Sequence, residues 1–309
     1  MAKREVVYMG NNFIEASYKC NPVEKKILNL GILRANKKTF PDKPNPLRIY
    51  EVTLDRADLM DTAGLDTVKD FRHIIKACKS LNEKIIVYED EFGKEFETSS
   101  FITDSRLKNG TLTLGFHGKV VPFFNKLKER FTSYDLLQTK QFIGKYTIRF
   151  YELIKQYESI GKRTLTYQDM RKMFQLEDKY QGKNGITSFR QRVIDSAQKE
   201  LKEKSDLYFD YKQNKEGRNI VSITMTIKLN AQHIDAEYYR KMIANYLTTN
   251  SIDDFHSNFK KYYQENQNNF SISEKKEIYR IIIKRIEPKN IDEKFLYHFF
   301  AWLEPPLNL

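Results

Sequence analysis

The most constraining feature of the sequence is an order of elements that occurs twice. Asn21-Pro22-Val23-Glu24 combines an N-cap, a first-turn proline and a capping-box glutamate. Apolar residues at Val23, Ile27, Leu28, Leu30 and Ile32 carry a helix from there to about Ala35. A proline-rich loop, Lys37–Pro46, leads to a short strand, Leu47–Thr53, with Leu47, Ile49 and Val52 facing inward. Asp55 caps a short helix that Gly64 ends. Thr67-Val-Lys-Asp70 opens another, with the stripe Val68, Phe71, Ile74, Ile75, Cys78 and Leu81. Strand runs follow at Lys84–Tyr88, Glu95–Thr103 and Thr111–Phe116, and Asn109-Gly110 marks a hairpin turn. Helix, strand, helix, helix and hairpin is the order of a winged helix.

The order then returns. Tyr134–Tyr157 is expected to be helical, in two pieces around Gly144, and Gly161 ends it. Thr166-Tyr-Gln-Asp169 caps a short helix to Phe174, and Ser188-Phe-Arg-Gln191 is a capping box opening a helix to about Lys204. Strands Leu207–Tyr211 and Ile220–Leu229 come next, joined by a loop over Lys212–Arg218. The two halves share architecture but no useful residue identity. The fold class is therefore α+β, two tandem winged-helix domains (1–130 and 131–230) with an all-α C-terminal extension (231–309). The extension reads as four helices, Ile234–Leu247, Ser251–Gln264, Ser273–Ile286 and Asn290–Leu303. The last is densely apolar and must be buried on its neighbours or on a partner.

Charge follows the same division. The 309 residues carry 53 Lys+Arg and 41 Asp+Glu, a net +12. Residues 1–130 hold 23 basic and 18 acidic side chains, residues 131–230 hold 19 and 12, and residues 231–309 hold 11 and 11. The excess lies wholly in the twin domains and points to an acidic polymer as partner. No stretch approaches a membrane span, and Met1-Ala-Lys-Arg-Glu lacks the apolar core of a signal peptide, so a cytoplasmic protein without membrane contact is expected. Two isolated cysteines, Cys20 and Cys78, exclude a disulfide framework or a Cys-based zinc cage.

Winding Ser188–Lys204 at ~100° per residue puts Phe189, Val193, Ala197 and Leu201 on one side. Gln191, Arg192, Asp195, Gln198 and Lys199 face the other way, and Arg190 falls near the buried side. An outward face of Arg, Gln and Lys suits the major groove, where Arg reads guanine and Gln reads adenine. Lys212, Lys215 and Arg218 on the adjoining hairpin offer phosphate contacts that position without specifying. An ordinary solvated helix face is the alternative. In the first domain, Lys69, Arg72, Lys76 and Lys79 form a more generic face, suited to auxiliary backbone contact. The hairpin after them is acidic (Glu89, Asp90, Glu91, Glu95, Glu97), which argues for weaker DNA contact there or a protein interface.

Chemistry-bearing patterns are absent. The five histidines form neither His-x-His nor His-Glu-x-x-His, and no Gly-Lys pair has a glycine five positions earlier, so no P-loop forms. The chain is expected to be non-enzymatic and to need no cofactor or metal; a nicking endonuclease or relaxase is the disfavoured reading.

Two segments carry a family resemblance. Phe131-Thr-Ser-Tyr-Asp-Leu-Leu with Gly144-Lys-Tyr-Thr-Ile-Arg-Phe-Tyr-Glu-Leu-Ile-Lys-Gln-Tyr157, and Phe189-Arg-Gln-Arg-Val-Ile-Asp-Ser-Ala-Gln-Lys-Glu-Leu201 preceded by Tyr180, resemble iteron-binding plasmid replication initiators, the twin winged-helix Rep proteins. Asn11-Asn-Phe-Ile-Glu-Ala resembles that family's first motif, and the similarity spans roughly residues 8–230. The resemblance implies a pseudo-twofold pair of winged helices that binds direct repeats in double-stranded origin DNA as a monomer. It also implies a dimer through the first domain that represses its own promoter, and recruitment of host initiator and replicative helicase. It makes Ser188–Glu200 the main recognition helix, with Arg190, Arg192 and Lys199 as leading contacts. Ser196 departs from the family pattern, where proline is common. A dedicated repressor with the same twin domains is the alternative function.

Overall fold

The computed structural model describes residues 5–38, 40–66, 69–89 and 96–230. The chain divides into two units, Met1–Lys228 and Leu229–Leu309, and both winged-helix modules belong to the first. The helices expected in 231–309 lie outside the described residues.

The first module starts with strand β1 (Val6–Gly10) and a short helix α1 (Asn11–Glu15). Helix α2 (Pro22–Lys37) follows, opened as its sequence requires. The Asn21 side chain accepts from Glu24 N at 3.0 Å, and Glu24 accepts from Asn21 N at 2.8 Å. Then come β2 (Ile49–Leu54), a π-helical turn at Asp58–Thr62, and helix α3 (Phe71–Glu83). Four strands complete it: β3 (Ile85–Glu89), β4 (Phe96–Ser100), β5 (Ile102–Lys108) and β6 (Thr111–His117). The sheet order is β2-β6-β5, and β3-β4 is a separate hairpin inserted before it. Asn109 (φ 51°) and Gly110 (φ 76°) make the turn between β5 and β6, as Asn-Gly dictates. α2 lies close on this sheet, because a methyl group at Gly31 would come within 2.9 Å of Leu114 Cδ1.

Two facing assignments differ from expectation. Leu47 and Ile49 are exposed, at 87% and 52%, while Val52 and Leu54 form the buried positions of β2. The strand begins at Ile49 and pairs on one side alone, so its inward alternation is set by Val52 and Leu54. Phe71 is also exposed, because α3 meets the sheet through Ile74, Ala77, Cys78 and Leu81, beyond its first turn.

The second half opens on a strand where a helix is expected. β7 (Phe131–Asp135) pairs antiparallel with β1, Val7 opposite Tyr134, so residue 134 is extended and helix α4 spans Thr147–Lys155. The expected helix over Tyr134–Tyr157 is thus shortened by a pairing more than a hundred residues distant in sequence. β8 (Lys162–Thr166) leads into α5 (Tyr167–Met173), which Thr166 caps by accepting from Asp169 N at 2.9 Å. A continuous helical stretch comes next: α6 (Gly185–Phe189), a π-helical turn at Arg190–Asp195, and α7 (Ser196–Lys204). Strands β9 (Leu207–Glu216) and β10 (Asn219–Leu229) close a sheet ordered β8-β10-β9.

The modules are joined by a buried polar seam. Lys25 Nζ lies 2.9 Å from Glu152 Oε1 and donates to the Tyr18 hydroxyl at 2.8 Å. Tyr134 and Asn29 converge on the same Glu152 oxygen at 2.7 and 3.1 Å. Burial alone would lower the Lys25 pKa, but the Glu152 carboxylate and Tyr18 outweigh it and hold the ammonium above its usual range. Arg149 stacks on Tyr18, 3.6 Å from the ring centre, and donates to Ala16 O at 3.0 Å. Arg163 reaches Glu15 at 2.6 Å. A shared network of this kind fixes one relative placement of the two winged helices, since Lys25 or Glu152 left alone would be a costly buried charge.

Candidate nucleic-acid interface

The second-module helix expected to read DNA starts one turn earlier than its sequence suggests. Asn184 occupies the N-cap position and Ser188 N donates to Asn184 O at 3.0 Å, so Ser188 is inside the helix and is no cap. The reason lies in the preceding turn. Tyr180 (φ 58°) and Gly182 (φ 79°) fold the chain so tightly that a methyl group at Gly185 would fall 1.9 Å from Tyr180 O. Phe189, Val193, Ile194, Ala197 and Leu201 are buried, as helical winding predicts. The π-turn accommodates Val193 and Ile194 together on that inner side.

The predicted contact residues separate into two groups. The side chains of Gln191 and Arg192 are exposed and make no hydrogen bond or ion pair among the described residues. Lys199 is 78% exposed, 3.9 Å from Glu203. Ser188, Arg190, Asp195 and Gln198 are half-buried. Gln198 Nε2 donates to Phe209 O of β9 at 2.9 Å, which ties helix to hairpin. Asp195 accepts a hydrogen bond from the Tyr211 hydroxyl, and its Oδ2 lies 3.6 Å from Arg190 Nε. Burial and the Asp195 bond together push the Tyr211 hydroxyl well up.

The hairpin is longer and tighter than the expected loop. β9 continues to Glu216, and the turn is Gly217 (φ 59°) with Arg218. The polar residues that read as loop find partners on helix α5 and inside the sheet. Gln213 donates to the Tyr167 hydroxyl at 3.0 Å, and Asn214 donates to Ser222 and Thr224 at 2.9 Å each. Strand alternation therefore sends Lys215 to the side of Tyr211 and Gln213, facing the helices, and Lys212 to the opposite side with Asn214. Lys212, Lys215 and Arg218 are exposed.

In the first module Lys69, Arg72, Lys76 and Lys79 are all exposed along or just before α3. The hairpin that closes its sheet is β5–β6, not the acidic run after α3, which belongs to the inserted β3–β4 pair. Residues 90–95 of that run lie outside the described residues. The true wing carries exposed Arg106 and Lys108 beside the Asn109-Gly110 turn. Sequence reasoning misses them because it ends the run before the turn at Thr103. The signal is present, since an Asn-Gly turn implies matched strands on both sides.

Among the described residues no group of three or more His, Cys, Asp or Glu could hold a metal ion, and no helix is long and apolar enough to cross a membrane. The family model described as "Initiator Replication protein, WH1" matches residues 6–155, and that described as "Initiator Rep protein, WH2" matches residues 166–227. Among solved structures the chain resembles a Pi initiator protein crystallised in complex with iteron DNA. The two are 16% identical with a TM-score of 0.54, over 74% of this chain and 99% of that one. At that identity the likeness carries the twin winged-helix fold.

Proposed function

Because the chain belongs to the family of initiator replication proteins, with both of its winged-helix domains, we propose that it initiates plasmid replication by binding repeated duplex sites, iterons, at an origin. One observation carries the reading. The second module presents Gln191 and Arg192 unpartnered on a helix that its hairpin holds in place, with Lys215 on the helix-facing side of that hairpin. A helix in the major groove reads bases, and flanking cations grip the backbone. The related Pi protein is recorded on iteron DNA, which supports the same class of ligand for this chain.

In this reading the first module adds backbone contacts through α3 and the β5–β6 wing. Self-association through that module, repression of its own promoter, and recruitment of host initiator and helicase to the opened origin complete the role. The protein acts in the bacterial cytoplasm and catalyses nothing itself, so ATP-driven unwinding belongs to a partner.

Gel shifts with the full chain test this directly, using direct repeats from its plasmid and shuffled duplexes across a salt series. Specific binding should weaken with salt in proportion to the phosphates contacted. Equal affinity for repeated and shuffled duplexes would sink the reading, and strand cleavage with a divalent ion would replace it by a nuclease. Origin-dependent plasmid replication only when the protein is supplied separates initiation from repression alone.

A further inference from the structure

A carboxylate on a DNA-facing helix repels phosphate, so Asp195 needs a physical reason to be there. Its neighbours supply one. Tyr211 of β9 donates its hydroxyl to Oδ1, and Arg190 Nε lies 3.6 Å from Oδ2. Arg190 and Asp195 are five residues apart, which in a regular α-helix places them about 140° apart around the axis. The π-turn that spans Arg190–Asp195 closes this gap. Such turns in α-helices occur frequently at functional sites.

The anchoring strand is itself fixed. Gln198 holds Phe209 O, two residues before Tyr211, and Gln213, two residues after it, is bonded to Tyr167. Tyr211 thus projects from a section of β9 pinned on both sides. The Arg190 side chain is 35% exposed, yet its Nε is buried and makes no hydrogen bond. A planar guanidinium whose inner nitrogen faces a carboxylate leaves its outer edge free for a bidentate contact. In the major groove the matching acceptor pair is O6 and N7 of guanine.

We propose that Tyr211 and Asp195 are positioning residues that orient the Arg190 guanidinium toward a guanine, and so set the preference for a G·C pair at one position of the binding site. The inference rests on the DNA-reading role proposed above and adds to it the residues that fix one side of the code. Asp195 then touches no base, and its charge is spent on Arg190 and Tyr211.

The test is binding-site selection from a randomised duplex library, with the full chain and with Tyr211→Phe, Asp195→Asn and Arg190→Lys. The wild type should select sites with a guanine at a position where Arg190→Lys loses the preference. Tyr211→Phe and Asp195→Asn should each relax that same position, roughly tenfold for loss of a bidentate contact, and leave the others unchanged. Adding Tyr211→Phe to Arg190→Lys should change nothing further. Affinity for unrelated duplex should hold in Tyr211→Phe and hold or rise in Asp195→Asn, which a merely structural role would not produce. Full preference in both variants, or a uniform loss at every position, would overturn the proposal. A wild type with no sequence preference would overturn the functional reading, and this inference with it.

Discussion

The two winged helices share a three-stranded frame and differ in what binds the recognition helix to its wing. In the second, side chains do it: Asp195 to Tyr211 and Gln198 to Phe209 O. Both helices are also packed by burial; in the first, α3 is held by Ile74, Ala77, Cys78 and Leu81, and its link to the wing strand is a weak hydrogen bond between the Cys78 thiol and Ser105 of β5. Burial pushes that thiol up to about 11, consistent with an inert packing residue. A helix fixed by directional bonds can hold an arginine in one orientation, which base reading demands. A helix held mainly by apolar packing presents Arg72, Lys76 and Lys79 as exposed charge, and unoriented charge suffices for phosphate. In the proposed reading, this difference would leave specificity to the second module and electrostatic grip to the first.

The largest expected effect concerns the joint that makes the comparison possible. Glu152→Ala strands the buried Lys25 ammonium and should cost about 3–5 kcal/mol in urea unfolding. If the seam couples the modules, the transition shifts as a whole; a shift confined to one of two separate transitions would show independent folding. The sign with pH is fixed by the raised Lys25 pKa. Its stabilisation is complete below the ordinary lysine value of 10.5 and is lost only as pH rises through the higher folded value.

Next comes the contrast between the recognition faces. Arg192→Ala should cost about 1–3 kcal/mol of binding to the selected repeat and little on shuffled DNA. Arg72→Ala in α3 should weaken both duplexes alike. Titrations of the two variants against the same pair of duplexes check this. Selectivity lost equally from both variants would erase the division of labour.

Glu200 gives a smaller effect, on stability rather than reading. Its carboxylate accepts from Ile143 N and Gly144 N at 2.8 Å each and from Lys204 at 3.0 Å, anchoring α7 to the loop before α4. Burial would raise its pKa, but these donors and Thr147 outweigh that and hold it low. The stabilisation is therefore present above the unfolded value of 4.5 and is lost as pH falls through the folded one. Glu200→Gln should lower stability at neutral pH by about 1–2 kcal/mol and leave base preference intact. Acid titration of both proteins should show the gap closing at low pH.

Local signals were legible in the sequence because the bonds they announce are local. Asn21 with Glu24, Thr166 with Asp169, and the Asn109-Gly110 turn all formed as read. The winding of Ser188–Lys204 placed Gln191 and Arg192 outward for the same reason. One local signal failed, since the Ser188 capping box gave way to a helix that Asn184 opens; the other failures depended on distant partners. Tyr134 has helical neighbours in sequence but is drawn into β7 by β1. Gln198 and Asp195 sit outward by winding, yet strand β9 claims both side chains. Gln213 and Asn214 looked like loop residues until Tyr167, Ser222 and Thr224 received them. Propensity cannot announce a bond whose other half lies on another element.

The smallest expected effect tests the wing itself. Lys212 and Lys215 are three residues apart, so in a loop they would be interchangeable sources of charge. In β9 they are not, because odd spacing along a strand puts them on opposite faces. Lys215 shares the side of Tyr211 and Gln213, toward the helix that contains Asp195, and in the proposed reading it is the one that would reach DNA. Lys215→Ala should weaken binding to every sequence by the same factor and reduce the slope of log affinity against log salt by about 1. Lys212→Ala should leave the slope nearly unchanged. Equal slopes in the two variants would mean that the hairpin loosens on DNA and that its alternation no longer selects the contact. The same measurement on Arg106 at the β5–β6 turn asks whether the first module's wing reaches the backbone as well: a slope reduced as much as by Lys215→Ala places it there, and an unaltered slope leaves grip to α3 alone.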